Sequence, residues 1–317
     1  MPQIKSNIYR RVLGLIILSI FCLPYSTYAK KSAKTTPKEP TISVEQEQQF
    51  TYYWYAAKQA IVEERYGDAY VLLKFCNAIN PKDGTTLCFL GILEQGIGNS
   101  LKGLILMRDA FEADPYDQWY QYSKELMDMH SPSATAEALR VVEKAYLVQK
   151  KANSEKKNAR VDENLLVTLR RLYISAGQFK KALELQDQIE KQQGYTEENV
   201  YYRFHLYSAL GQDKKAIQAV DKYLEQNPEN MEYLPLMILN NYAYYMATHR
   251  GDLTKAEKMS AITIREEPNN PVFLDTYGWI LHLKGQDELA KFYLEKAKWN
   301  STEETHKDII KHLNAIQ

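Results

Sequence analysis

The sequence predicts an all-α protein, an α-solenoid of about seven helical hairpins closed by a C-terminal helix. Three observations carry that expectation. Small residues recur at a spacing of 34 residues, and periods of this size mark stacked repeats. Between them lie runs of about 13 residues whose apolar side chains return with helical spacing. Short polar turns, most with a glycine, separate the runs.

Taken in order, residues 1–29 stand apart from the repeats. Lys5, Arg10 and Arg11 precede an apolar run from Val12 to Leu23, followed by Pro24 and the small pair Thr27 and Ala29. This is the layout of a secretory signal peptide cut after Ala29, which places the mature protein in the periplasm or cell envelope. The apolar run falls well short of the ~20 residues that cross a bilayer, so no membrane contact is expected beyond an uncleaved N-terminal anchor. Cys22 follows the bulky Phe21, which argues against a lipid-attachment signal. Residues 30–46, with Lys30, Lys31, Lys34, Lys38, Pro37 and Pro40, read as a flexible basic leader.

The chain of 317 residues has no formal net charge, is 45% apolar and is 25% charged, which excludes a disordered chain. Removing the signal leaves a charge of −3, and setting the four leader lysines aside leaves −7 for the rest. Phosphate-backbone binding needs clustered Lys and Arg, so nucleic acid is excluded as a partner.

The hairpins occupy 47–152 and 163–304, divided as 50–83, 84–117, 119–152, 163–196, 197–230, 236–270 and 271–304. A closing helix follows at 305–317. The repeat is clearest in the last two units: Gly278, Gly285, Ala290 and Ala297 are preceded by Gly251, Ala256, Thr263 and Pro268. Gly211, Ala216, Tyr223 and Pro228 fill the same slots, as do Gly177, Ala182 and Ile189. Gly91, Gly98, Gly103, Ala110 and Pro115 do so nearer the start, one period after Ala57, Ala69, Cys76 and Pro81. Only Ala138 and Ala145 survive in the third unit. Small side chains let two helices approach closely, so Gly278 is expected to face Ala290, and Gly285 to stop the first helix at positive φ. Asn270, Ser131 and Thr196 sit where helix N-caps belong. The period is interrupted at 153–162 and 231–235, and the sixth unit is one residue longer in its turn.

The 34-residue spacing with these residues resembles the tetratricopeptide repeat (TPR) family over about residues 50–304, most closely in residues 240–297. The resemblance implies a right-handed superhelix whose first helices line a concave groove. It says little about any particular function.

Catalytic signatures are missing: there is no HExxH, GxSxG or CxxC. In residues 96–103 the glycines have phosphate-loop spacing, but Leu104 stands where Lys is required. The histidines suggest no metal site; His306 and His312, six apart on the closing helix, read as surface residues. No enzyme, cofactor or metal is expected. Cys76 and Cys88 are either bridged by a disulfide or buried as thiols.

Binding is the expected activity, with a protein or peptide partner in the groove. The family's groove positions fall here on Trp54, Lys58, Cys88, Ile92, Val167, Arg171, Ile174, Tyr201, His205, Asp275, Trp279 and His282. In the longer sixth unit they fall on Asn240 or Asn241 and on Tyr244 or Tyr245. Aromatic and Arg anchors among polar neighbours suit a protein-binding surface. Two alternatives remain at this level: a structural subunit of a cell-envelope assembly complex, and a glycan-binding solenoid whose Trp and Tyr stack on sugars.

Overall fold

A computed structural model describes residues 42–154 and 160–316. The signal segment at 1–29, the leader as far as residue 41 and the side chain of His306 lie outside the described residues. Among the described residues there are fifteen α-helices and no strand. None of these helices is long and apolar enough to cross a membrane. They form two compact units, divided between Leu165 and Leu166.

The first unit stacks three hairpins: α1 (Val44–Val62) with α2 (Tyr66–Ile79), α3 (Gly84–Gly96) with α4 (Ser100–Ala113), and α5 (Trp119–Asp128) with α6 (Pro132–Ser154). Helix α1 begins three residues before the expected start at 47. Ser43 accepts from the backbone N–H of Gln46, whose side chain accepts from the N–H of Ser43; this reciprocal cap anchors the first turn. The first two hairpins share a core of Ala57, Ala60, Ile61, Ala69, Leu73, Leu90 and Leu93.

The second unit holds all but the first three residues of α7 (Glu163–Ser175), then α8 (Phe179–Gln193), α9 (Glu197–Ala209), α10 (Asp213–Gln226), α11 (Leu236–Tyr245), α12 (Leu253–Glu266), α13 (Pro271–Leu283) and α14 (Asp287–Asn300). The closing helix α15 spans Glu303–Ala315. The break in the period at 231–235 is bridged by a 3-10 helix over Pro228–Tyr233. The extra residue of the sixth unit is absorbed by a π-turn over Met246–Arg250 that ends at Gly251. A π-turn takes in one added residue without ending the helix.

Helix starts and stops follow local chemistry. Asn270 accepts from the N–H groups of Val272 and Phe273, Ser131 from that of Ala134, and Thr196 from that of Asn199. Gly285 ends α13 at φ +76°, and the N–H of Gln286 reaches back to the carbonyl of Leu281 at 3.0 Å. This is the bond of a glycine-terminated helix. The first hairpin makes the same turn without glycine: Glu64 takes φ +58°, and Arg65 N–H bonds the Ala60 carbonyl at 2.8 Å.

Gly278 faces Ala290 as the repeat predicts. A Cβ on Gly278 would lie 3.1 Å from the Ala290 carbonyl oxygen and 2.7 Å from Leu294 Cγ. The helix propensity lost by placing glycine inside α13, roughly 1 kcal/mol, is offset by this approach of α14.

Candidate functional site

The expected groove residues divide into three groups. The first group is buried and offers a ligand nothing. Ile92 and Cys88 lie in the interior of α3, and Asn240 is 2% exposed on α11. The Asn240 side-chain oxygen has no partner, while its Nδ2 lies 3.4 Å from Asn241 Oδ1. Its neighbour Asn241 is exposed on the same helix.

A second group is occupied from within the chain. Helix α15 lies against α13, its Ile309 and Leu313 packing on Leu274, Leu294 and Ala297. From the same helix, His312 stacks on Trp279, with ring centroids 4.3 Å apart and planes 20° apart. Its Nδ1 lies 2.9 Å from Asp275 Oδ1, and its ring is 6.2 Å from that of Tyr244. His312 is therefore not the surface residue expected from the sequence: its ring is held between Trp279 and Asp275. Trp279 Nε1 is buried without a partner. His282 contacts Trp279 and places its Nδ1 2.7 Å from Asp287 Oδ1.

The third group stays accessible. On α9, Tyr201 meets His205 edge-on at 4.4 Å. On α11, Tyr245 stacks on His249 at 4.4 Å with planes 9° apart. Residues four apart on a helix meet this way because they share a face. Both tyrosines are half-buried against the same apolar core, which includes Phe204, Ile238 and Tyr242. Burial lowers the pKa of His205, so its ring favours the neutral form beside Tyr201. Sequence reasoning missed His249 because the π-turn shifts its register; the Tyr-x-x-x-His spacing shared with Tyr201 and His205 was the available signal. Arg171 on α7 is exposed.

In the first unit, Trp54 packs edge-on against Phe89 at 5.5 Å, and Lys58 Nζ lies 5.7 Å from the Tyr55 ring centroid. Cys76 and Cys88 are free, so the disulfide considered from the sequence is not formed. Each thiol has its own surroundings: Cys76 Sγ points at the Phe50 carbonyl oxygen, 3.8 Å away, while Cys88 is enclosed in α3. Burial pushes the two thiols up to about 11 and about 12, respectively, which keeps both protonated and unreactive.

A residue no sequence pattern singled out braces α7, α8 and α9. Arg170 is fully buried, its guanidinium carbon 3.4 Å above the Tyr202 ring, and its Nη1 donates to Gln186 Oε1 at 2.7 Å. Gln186 in turn donates to Asn199 Oδ1 at 3.0 Å. Among the described residues, no group of three or more His, Cys, Asp or Glu side chains is arranged to hold a metal ion.

No protein-family model matches the sequence, and no curated protein matches it. Among solved structures, the chain is similar to the C-terminal part of a TPR repeat-containing protein from Cytophaga hutchinsonii. The identity is 15% and the TM-score 0.50, over 86% of this chain and 95% of that one. It is also similar to a chain in the structure of Naa15/Naa10 bound to HypK-THB, with 14% identity and a TM-score of 0.54, over 86% of this chain and 39% of that one. YrrB, described as a TPR protein with an unusual peptide-binding site, has 16% identity and a TM-score of 0.47, over 65% of this chain and 96% of that one. At these identities the likeness is one of fold: this chain has the fold of the tetratricopeptide repeat proteins.

Proposed function

We propose that this chain is an exported, non-catalytic scaffold of a bacterial cell envelope that binds a protein or peptide segment along the first helices of its second unit. The observation that carries this reading is the pair of tyrosine–histidine contacts, Tyr201 with His205 on α9 and half-buried Tyr245 of α11 with exposed His249 of the π-turn. Each offers an aromatic surface and a ring nitrogen, the amphipathic contact that serves as an interface anchor. Exposed Asn241 adds an amide able to pair with a peptide backbone. The glycan alternative loses its best platform, because His312 already covers one face of Trp279. Export rests on Lys5, Arg10, Arg11 and the apolar run of the first 29 residues.

The test is selection of peptides from a displayed library on the intact mature chain, followed by titration against Tyr201→Ala/Tyr245→Ala. Losing one hot-spot aromatic costs about 2 kcal/mol or more, so the double variant should weaken the selected peptides at least about thirtyfold. Unchanged affinity in the double variant rules the first-helix site out.

A further inference from the structure

The second unit carries another feature, independent of the first-helix site. A surface cavity of about 700 Å³ opens where α8, α9 and α10 meet, lined by Tyr195, Tyr207, Arg203, Lys191, Lys215 and Lys222. Asp187 and Glu190 also line it, and both are committed to one cation. Glu190 takes the Arg203 guanidinium with two oxygens, at 2.7 and 2.9 Å from Nε and Nη2, and Asp187 accepts from Nη2 at 2.6 Å. Nη1 donates to the Tyr207 hydroxyl at 3.3 Å. Burial works against the charged guanidinium, but these hydrogen bonds outweigh it and hold Arg203 ionised.

With four cations and two carboxylates the lining keeps a net charge of +2, presented by the three lysines. The ammonium groups of Lys191, Lys215 and Lys222 make no ion pair or hydrogen bond with a described residue. Lys222 Nζ lies 4.3 Å from the Tyr195 ring centroid and Lys215 Nζ 5.7 Å from that of Tyr207. Both lysines are on one face of α10, nearly two turns apart, so their Cα atoms are separated by about 10 Å along the axis. On a polyproline II peptide, with three residues per turn, carboxylates three residues apart share one face and lie about 9 Å apart, close to the lysine spacing.

We propose that this groove binds an acidic peptide segment, with carboxylates three residues apart meeting Lys215 and Lys222, and Lys191 facing them from α8. Tyr195 and Tyr207 supply apolar surface for the peptide between those charges. A free phosphate fits the site poorly. Guanidinium is the fork that grips phosphate with two bonds, and Arg203 already gives its bidentate edge to Glu190 and a further bond to Asp187. The cavity is also much larger than one small anion.

The experiment is fluorescence anisotropy on the intact mature chain. The probe is a labelled, proline-rich peptide of about eight residues in the polyproline II form, with two glutamates three residues apart, and its glutamine counterpart is the comparison. The glutamate peptide should bind, the glutamine peptide should not, and binding should fall between ~50 and ~500 mM salt. Lys215→Gln/Lys222→Gln should weaken binding about fivefold to tenfold, as expected for two partly exposed charge pairs. Lys307→Gln/Lys311→Gln, which removes the same charge from α15, should leave it unchanged. So should Tyr201→Ala/Tyr245→Ala, which separates this site from the first-helix site. Equal binding of both peptides, an equal loss in the α15 variant, or displacement by inorganic phosphate at equal charge concentration would overturn the proposal.

Discussion

His312 on the closing helix stacks on Trp279 of the last hairpin while its Nδ1 lies 2.9 Å from Asp275 Oδ1. A helix that in sequence only ends the array thus covers two of the residues expected to line the groove. The apolar contacts of Ile309 and Leu313 bring α15 down, and the histidine sets its position.

Breaking that contact should loosen the end of the array first. An aromatic stack contributes about 0.5–1.5 kcal/mol beyond area burial, and a net hydrogen bond about 1 kcal/mol. His312→Ala is expected to lower urea stability by about 1–2 kcal/mol, and Asp275→Asn by less. A double-mutant cycle should show coupling of about 1 kcal/mol, since the residues touch. Additive losses would mean that the contact contributes nothing.

Gly278→Ala sets helix propensity against packing. Alanine should gain roughly 1 kcal/mol in an exposed helix, yet here its methyl group would lie 2.7 Å from Leu294 Cγ and 3.1 Å from a backbone oxygen. Overpacking of this kind costs about 1–3 kcal/mol, so the variant should unfold at lower denaturant concentration. Gly91→Ala should behave alike, because its methyl would meet the Gly103 carbonyl oxygen at 2.9 Å. A midpoint at or above that of the parent contradicts the close approach.

The turns allow a test with opposite signs. A Cβ on Gly285 would meet nothing within 4 Å, so only its φ of +76° penalises a side chain. Gly285→Ala should cost about 1 kcal/mol. Glu64 already pays that strain at φ +58°, and Glu64→Gly should raise the thermal midpoint slightly, the relief exceeding the added unfolded-chain entropy. Calorimetry on the two variants reads both signs.

Glu94 makes the first unit acid-sensitive. It is 1% exposed, and burial alone would raise its pKa; hydrogen bonds from Lys102, Tyr70 and Asn99 reverse that and bring it from 4.5 down to about 2. Lys102 Nζ lies 2.5 Å from Oε1, the Tyr70 hydroxyl donates to Oε1 at 2.5 Å, and Asn99 donates to Oε2 at 2.8 Å. A folded-state pKa below the unfolded one stabilises the protein above pH 4.5, and that stabilisation fades as the pH falls towards 2. Glu94→Gln should cost about 1–3 kcal/mol at neutral pH and flatten the stability profile across that acid window. An unchanged slope would show that Glu94 is not the group responsible.

The 34-residue recurrence of small residues was enough to read the helices, their pairing, the caps at Asn270, Ser131 and Thr196, and the contact of Gly278 with Ala290. These depend on spacing along the chain and on backbone groups a few residues apart, which the order of residues states directly. What no spacing could reveal is which inner-face residues stay open. Asn240 is buried on α11 while its neighbour Asn241 is exposed; Asp275 and Trp279 are claimed by His312, 37 and 33 residues later. The three lysines around Tyr195 and Tyr207 likewise become one groove only when α8, α9 and α10 meet. Repeats are set by contacts between neighbours in sequence, whereas surfaces are set by whatever packs across them, and that only the tertiary structure decides.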